Sequence, residues 1–208
     1  MSQEIQSTQS FIDRWKKGDI CLHPTDTIPG LSFYPRNSKS YEKLLQFKER
    51  GADKPFLGLV GSLNRALQLW QQLPKGVLEK LDQIWPGPVS IVWKASAQAP
   101  KMLVSKEGYI GLRYPKLNAD LMWFQDVLTT IEDPLPTTSV NLKGDAPAGT
   151  REQAMIVLKN TSVYTPIWND VGVLDTAAST VIKILNDGRV AILREGAVAR
   201  EELERCFE

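Results

Sequence analysis

Four apolar stretches of the sequence run into hydroxyl or arginine residues, which suit an anionic ligand. ICLH (20–23) leads into the turn PTDTIPG, LPTTSVN (135–141) becomes polar at its end, and both YIGLR (109–113) and RVAILR (189–194) end on arginine. Hydroxyl groups donate hydrogen bonds to phosphate or carboxylate oxygens, and arginine adds a bidentate fork. Because ligands of mixed α/β sheets usually bind in loops beyond the strand ends, we expect these residues to share one site.

A cluster of basic residues, Lys48, Arg50 and Lys54, lies in the stretch FKERGADKPF, where a predicted helix ends. Several cations close together suit a ligand that carries phosphates. Considered alone, such a cluster is typical of a solvated helix end favoured by the helix dipole. Arg113 or Arg194 alone would similarly suit a surface ion pair or a helix cap.

The motifs of several common sites do not occur in the sequence. It contains no G-x-x-x-x-G-K-[ST] phosphate loop, no G-x-G-x-x-G fingerprint and no G-x-S-x-G elbow. One histidine, His23, and two cysteines, Cys21 and Cys206, are too few for a Cys/His zinc site. His23 ends an apolar strand, where a lone histidine more often satisfies a backbone group than takes part in catalysis. The formal net charge of +1 indicates no global attraction to nucleic acid.

Length and composition are those of a globular protein with one substantial core or at most two small domains. The N-terminal residues are polar and contain no apolar core of a signal peptide. No stretch approaches the roughly 20 apolar residues that a membrane helix needs. We therefore expect a soluble cytoplasmic protein that makes no membrane contact.

Hydrophobic periodicity predicts helices and strands mixed along the chain without strict βαβ alternation. The predicted helices cover 10–17, 38–50, 62–72, 74–85, 117–128, 150–158 and 200–207. The predicted strands cover 20–23, 56–60, the end of 85–94, 109–113, 135–141, 179–185 and 189–194. The last two strands form a hairpin around an Asp-Gly turn and must be antiparallel. The pattern predicts a mixed sheet with helices on its faces.

Seven short motifs follow one another along most of the chain. They read HPTDTIPGLS, KERGADKP, WPGPVSIV, IGLRYP, TTSVN-KG, STVI and ILREG, and they extend from residue 24 to residue 196. In this order they resemble the YrdC/TsaC family, the L-threonylcarbamoyladenylate synthases. Each motif alone is weak, whereas seven in order are specific. The length resembles the single-domain branch, which lacks the extra C-terminal domain of some relatives, so the resemblance implies a single domain over residues 1–208.

The resemblance implies an α/β fold with an open, twisted mixed sheet, curved around a deep basic cavity. It implies that L-threonine, bicarbonate and ATP give threonylcarbamoyl-adenylate and pyrophosphate, a nucleotidyltransferase reaction. Other proteins then pass the threonylcarbamoyl group to adenosine 37 of tRNA. We expect Mg²⁺ to arrive on ATP, because it prefers waters and phosphate oxygens to an all-protein cage. We expect no catalytic nucleophile or base, because threonine's amine and the carbamate oxygen are the attacking groups.

The resemblance and the residue chemistry together assign ten binding residues. The expected ATP-binding residues are Lys48, Arg50, Lys54, Ser139, Asn141 and Arg194. The expected threonine-binding residues are Thr27, Arg113, Thr137 and Ser179. In this assignment Arg113 binds the carboxylate of threonine, and the cations of the first group bind the triphosphate.

Four residues depart from the family pattern. Pro29 stands where most relatives have an aromatic residue, Leu59 lies near a position that is polar in some relatives, Val140 replaces a small alanine, and Lys143 replaces a hydroxyl residue. Three interpretations therefore stay open. The chain is a synthase, a paralogue like the YciO branch with an altered substrate, or a protein that binds RNA weakly on its basic concave face.

Overall fold

The computed structural model describes residues 8–49, 51, 55–168 and 177–207. The α-helices are α1 (Thr8–Lys17), α2 (Ser38–Lys48), α3 (Leu63–Leu69), α4 (Val77–Ile84), α5 (Met122–Thr130), α6 (Arg151–Val157) and α7 (Arg200–Phe207). The strands are β1 (Cys21–His23), β2 (Gly30–Ser32), β3 (Leu57–Leu59), β4 (Val89–Lys94), β5 (Tyr109–Arg113), β6 (Leu135–Ser139), β7 (Thr180–Ile184) and β8 (Val190–Arg194). Short 3-10 helices cover Lys101–Leu103 and Ala119–Leu121.

The eight strands form one sheet in the order β1-β2-β6-β3-β5-β4-β7-β8. Strand β3 runs parallel to β5, and β4 runs parallel to β7. The other neighbours are antiparallel, including the hairpin of β7 and β8. The predicted mixed sheet and the predicted hairpin are therefore confirmed.

Helix α2 begins where the sequence indicates and ends earlier than predicted. The Asn37 side chain accepts a hydrogen bond from the Ser40 N–H and caps the first turn. The helix ends at Lys48, because Glu49 adopts a left-handed conformation with φ 43°. The prediction that Gly51 terminates this helix was wrong.

Three further helix predictions differ from the structure at their ends. The helix predicted from residue 74 begins at Val77, because Gly76 at its N-cap has φ 80°. The helix predicted over 62–72 covers Leu63–Leu69, and its N-terminus is capped by the Ser62 hydroxyl. The segment predicted as one helix from residue 117 divides into a 3-10 turn followed by α5.

Strand β2 is absent from the prediction, which assigned a turn to this part of the chain. Its three residues pair with β1 on one side and with β6 on the other. A stretch of three residues carries too little alternation to reveal a strand from sequence. Its position is important because it brings the polar end of β1 close to the polar end of β6.

Buried apolar side chains cover both faces of the sheet. Neighbouring residues in β1 divide between two clusters: Leu22 packs in the larger one and Cys21 in the smaller one. Because successive side chains of a strand point to opposite faces, the two clusters lie on opposite faces. Phe11 of α1 and Phe124 of α5 pack in the smaller cluster. Within the described residues, no helix has the length and apolar character that crossing a membrane requires.

Candidate functional site

A cavity of about 210 Å³ lies where the polar ends of several strands meet. Residues of several strands and of the segments that flank them form its wall. They come from the turn after β1 (Thr25, Thr27, Ile28, Pro29), from β2 (Gly30), from β3 and the residues before it (Pro55, Leu57, Leu59), from β5 (Arg113), from β6 (Thr137, Thr138, Ser139), from the two residues before β7 (Ala178, Ser179) and from β8 (Arg194). Strands that are distant in sequence therefore contribute to one wall, as the polar strand ends predict.

The structure brings together six of the ten residues predicted to bind ligands. Thr27, Arg113, Thr137, Ser139, Ser179 and Arg194 line the cavity. Lys48 and Asn141 are not part of this lining. Arg50 and Lys54 lie outside the described residues, so the structure does not address these two predictions.

Arg113 is a buried cation with a fixed orientation. Only 5% of its surface is exposed. Its Nη2 donates to the Asp26 carboxylate, its Nη1 to the Thr27 hydroxyl at 2.9 Å, and its Nε to the Gly87 carbonyl at 3.4 Å. Desolvation lowers the pKa of Arg113 from its usual value, and the Asp26 carboxylate opposes this shift. Because a guanidinium has five N–H groups, two remain for a ligand.

The turn after β1 is held by the hydroxyl groups of two threonines. The Thr25 Oγ1 donates to the Ile28 carbonyl at 2.8 Å and accepts from the Thr27 N–H at 3.0 Å. Since the single Thr25 hydroxyl hydrogen is used, the Thr27 hydroxyl donates to Thr25 Oγ1, which lies 3.1 Å away. Thr27 therefore offers the cavity a lone pair rather than a hydrogen.

Another part of the wall comes from the residues just before β7 and from the end of β8. The Ser179 hydroxyl lies 2.9 Å from that of Ser90, and both residues are buried. Arg194 Nη2 donates to the Ser179 carbonyl at 2.7 Å. Ser90 does not line the cavity, so its contribution is to orient the Ser179 side chain.

Lys48 binds protein oxygens at the end of β6. Its Nζ donates to the Ser139 carbonyl at 3.1 Å, to the Asn141 carbonyl at 2.9 Å and to Asn141 Oδ1 at 2.6 Å. Asn141 Oδ1 also accepts from the Ser139 hydroxyl at 2.7 Å. These contacts hold the backbone beside the cavity, whereas contact with a phosphate stays a prediction for all three residues.

The deep basic cavity expected from the resemblance is not confirmed. Among the described lining residues the cations are Arg113 and Arg194. The charge of Arg113 is balanced by Asp26, whose side chain is only 9% exposed. Of the other expected cations, Lys48 is directed to oxygens of Ser139 and Asn141, and Arg50 and Lys54 lie outside the described residues.

The four departures from the family pattern do not all reach the cavity. Pro29 and Leu59 lie in its wall. Val140 is fully buried in the larger apolar cluster. The Lys143 side chain is 67% exposed and lies 3.8 Å from the Glu49 carboxylate. Pro29 and Leu59 are therefore the two departures that can contact a ligand.

His23 is completely buried behind the cavity wall and hydrogen bonded at both ring nitrogens. Its Nδ1 lies 3.0 Å from the Pro24 carbonyl oxygen, and its Nε2 lies 3.0 Å from Thr137 Oγ1. Burial lowers the pKa of His23 from its usual 6.5 to about 4; the Pro24 contact opposes this shift and the Arg113 cation adds to it. The predicted contact with a backbone group is confirmed.

The buried ring makes the stability of the protein depend on pH. Because the His23 pKa is lower in the folded state, the unfolded chain binds more protons between pH 6.5 and about 4, and stability falls as the pH falls. We expect this residue to cost about 2 kcal/mol of unfolding free energy between pH 7 and pH 5. Denaturant unfolding at both pH values measures the loss, and His23→Gln, which cannot titrate, should show a smaller one. Equal losses in the two proteins would contradict the prediction.

Several residues of the site were not identified from the sequence. Asp26 pairs with Arg113, and Ser90 pairs with Ser179, although neither was singled out. Asp26 belongs to the PTDT motif, so its position inside a motif was the available signal. Ser90 lies within an apolar strand, and its partner is 89 residues away. Ser90 and Ser179 each lie in one of the quoted motifs, WPGPVSIV and STVI, but nothing local in the sequence indicates that the two residues form a pair.

The family model described as Sua5_yciO_yrdC, telomere recombination, matches residues 13–196 of the chain. The chain is also similar to the threonylcarbamoyl-AMP synthase of Vibrio vulnificus. The two are 29% identical over 171 residues, which cover 81% of this chain and 89% of that protein.

Two solved structures are similar in fold. The P. abyssi Sua5 structure complexed with L-threonine has a TM-score of 0.77 and 20% sequence identity. That match covers 93% of this chain and 55% of that one, so the chain spans about half the length of Sua5. The E. coli YciO structure has a TM-score of 0.74 and 19% identity, and the match covers 94% of this chain and 91% of YciO. These neighbours confirm the predicted fold class.

Proposed function

The chain belongs to the Sua5/YciO/YrdC family, and from this membership we propose that it is an L-threonylcarbamoyladenylate synthase. In this proposal it converts L-threonine, bicarbonate and ATP to threonylcarbamoyl-adenylate and pyrophosphate, as a nucleotidyltransferase. The observation that carries the proposal is the cavity itself, in which a buried arginine faces hydroxyl groups while a second arginine lies in the same wall. Such a wall suits a small amino acid beside a phosphate chain.

We assign the amino acid to the part of the cavity around Arg113. The two N–H groups that Arg113 retains suit a carboxylate, and Thr27, Thr137 and Ser179 supply hydroxyl oxygens in the same wall. The ATP phosphates are assigned to Arg194 and Ser139 in the cavity, and to Lys48, Arg50, Lys54 and Asn141 as the sequence predicts. The Ser139 hydroxyl donates to Asn141 Oδ1, which also accepts from Lys48, so a hydrogen bond from Ser139 to a phosphate requires this hydroxyl to rotate away from Asn141.

The reaction needs positioning more than an attacking side chain. The amine of threonine adds to CO₂ formed from bicarbonate and gives a carbamate with loss of a proton. A carbamate oxygen then attacks the α-phosphorus of ATP, and the bond to the leaving pyrophosphate breaks. The protein holds the two ligands in line and stabilises the developing charge. Mg²⁺ enters on the ATP phosphates, consistent with Asp26 being occupied by Arg113 and by the Lys116 N–H.

A paralogue with an altered substrate is the second candidate. The match to E. coli YciO covers 91% of that chain and the match to the Vibrio vulnificus synthase covers 89% of that protein, so coverage favours neither candidate. In the wall, Pro29 reaches less far than the aromatic residue of the family pattern, and Leu59 is apolar near a position that is polar in some relatives. Direct weak binding of RNA, partner proteins that transfer the product to tRNA and a cytoplasmic location stay predictions.

Pyrophosphate release from ATP tests the proposed function. We expect release by the full chain to require both L-threonine and bicarbonate. Arg194→Met should raise the KM for ATP about tenfold, which corresponds to the loss of roughly 1.4 kcal/mol of binding. Arg189→Met is the matched control, because Arg189 lies beside the turn of the same hairpin and pairs with Asp187 outside the cavity. Release that does not depend on threonine would exclude the synthase and favour the altered-substrate paralogue.

A further inference from the structure

His23 and Thr137 meet across strand β2 only because residue 30 is glycine. His23 is in β1 and Thr137 is in β6, and β2 lies between these strands with Gly30 opposite His23. A Cβ atom on Gly30 would lie 2.6 Å from His23 Nε2 and 2.6 Å from Thr137 Oγ1. Atoms do not approach this closely, so any larger residue would displace one of the two side chains. The contact between His23 and Thr137 therefore requires glycine at position 30.

The hydrogen-bond partners of His23 determine its tautomer. The Pro24 carbonyl oxygen can only accept, so the hydrogen of the neutral ring is on Nδ1. The ring is fully buried and stacks on Phe124, with centroids 5.1 Å apart and planes 11° apart, which keeps it neutral and fixed. Nε2 therefore carries a lone pair. Thr137 Oγ1, at 3.0 Å, must donate its hydroxyl hydrogen to this lone pair.

We propose that His23 is a positioning residue that holds Thr137 as a hydrogen-bond acceptor toward the cavity, for an N–H or O–H group of the amino-acid substrate. Thr137 lines the cavity, whereas His23 lies behind it. The substrate part of this inference rests on the proposed function. The inferred tautomer and the direction of the hydroxyl group do not.

Because the Thr137 hydroxyl group is fixed, the cavity wall presents hydrogen-bond donors at Arg113 and only acceptors at Thr137. Arg113 retains N–H donors, which suit the carboxylate of an amino acid. A freely rotating hydroxyl accepts any polar group, whereas Thr137 held by His23 has only lone pairs to offer. A ligand that presented another acceptor there would leave two lone pairs facing each other, which is unfavourable. His23 thereby selects a ligand with a donor at this position.

Nitrogen-15 NMR of the imidazole group tests the tautomer without any ligand. The chain contains one histidine, so a single pair of ring nitrogen signals is expected. At neutral pH we expect Nδ1 to carry the proton and Nε2 to have the shift of a bare ring nitrogen. A proton on Nε2, or on both nitrogens, would overturn the proposal.

Calorimetric titration of the full chain with L-threonine tests the role in binding. Thr137→Val should raise the Kd about tenfold, the order expected when a buried hydrogen bond to a ligand is lost. His23→Leu should raise it by a similar factor, and the double variant should bind no more weakly than Thr137→Val alone, because His23 acts through Thr137. His23→Gln, whose amide oxygen can accept, should restore most of the affinity. Additive losses, or equal losses for ATP, would indicate a merely structural role and overturn the proposal.

Titration with L-2-aminobutyrate identifies which group of the amino acid donates to Thr137. The unmodified protein then separates failure of the proposed function from failure of the role proposed for His23. L-2-aminobutyrate has the amine of threonine but lacks its hydroxyl group. If Thr137 accepts from the amine, Thr137→Val should raise the Kd for L-2-aminobutyrate as well. If Thr137 accepts from the hydroxyl group, the Kd for L-2-aminobutyrate should not change. Either result supports the acceptor role, whereas an unchanged Kd for both ligands overturns it. If the unmodified protein neither binds threonine nor releases pyrophosphate, the proposed function fails, and the NMR result still decides the direction of the hydroxyl group.

Discussion

Replacing Arg113 with methionine is expected to lower the free energy of unfolding by about 3 to 5 kcal/mol, besides abolishing threonine binding. Methionine fills much of the same space, so the main loss is electrostatic. The Asp26 carboxylate would stay in a site where its side chain is only 9% exposed, without the cation that now balances it. Denaturant unfolding of the full chain measures the loss, provided that the slope with denaturant is unchanged.

Two further variants show whether the buried charge is the cause. Asp26→Asn in the Arg113→Met background removes the orphan charge and keeps an oxygen for the Lys116 N–H, so the double variant should be more stable than Arg113→Met alone. Arg189→Met breaks an exposed ion pair and should lower the free energy of unfolding far less than Arg113→Met does. If Arg113→Met cost no more than Arg189→Met, or if Asp26→Asn restored nothing, the buried pair would not be the source of stability.

Gly196→Ala is expected to destabilise the protein by about 3 kcal/mol, the upper end of the usual range for overpacking. An added Cβ would lie 2.6 Å from the carbonyl carbon of Ser179 and closer still to the Ala178 oxygen. Both atoms belong to the backbone, and the Ala197 N–H already donates to that oxygen at 2.9 Å. A side chain could rotate away, whereas this backbone can yield only if the start of β7 moves.

The same variant should reduce turnover on the order of 100-fold, because a displacement of about 1 Å in a positioned site costs that much. Ala178 and Ser179 line the cavity, and Arg194 is hydrogen bonded to the Ser179 carbonyl. Gly51→Ala is the control for stability, since no described atom outside its chain neighbours lies within 4 Å of the added Cβ. It should change the unfolding free energy by no more than about 0.5 kcal/mol. A Gly196→Ala protein as stable as the control would contradict the expected clash.

Much of the fold could be predicted because its signals are local. Helix α1 has Phe11, Ile12 and Trp15 on one face, and all three are buried as the periodicity indicates. Thr150 caps α6, and the Asp-Gly pair closes the last hairpin. Apart from the missed strand β2, the errors lie at helix ends, where a single residue such as Glu49 or Gly76 takes a left-handed conformation that no pattern of apolar residues encodes.

The candidate site could be predicted as a set of residue types and only partly as an arrangement. Polar residues at strand ends together with the family motifs indicated Thr27, Arg113, Thr137, Ser139, Ser179 and Arg194, which line one cavity. Lys48 was grouped with the same set by its charge, yet its ammonium group binds three oxygens at the end of β6. Charge can be read from the sequence, whereas the direction of a flexible side chain depends on which acceptors the fold places near it.

By itself the sequence determined the mixed α/β class, the family resemblance and the chemistry that the polar strand ends can offer. These depend on spacings of a few residues, which local sterics and hydrophobic burial convert directly into structure. Only the tertiary structure decided that Arg113 pairs with Asp26, that Ser179 pairs with Ser90, and that Thr137 pairs with His23. Those partners are 87, 89 and 114 residues apart, and the order and register of eight strands bring them together. The role of each hydroxyl group as donor or acceptor follows from its partner, so it too is a property of the folded chain.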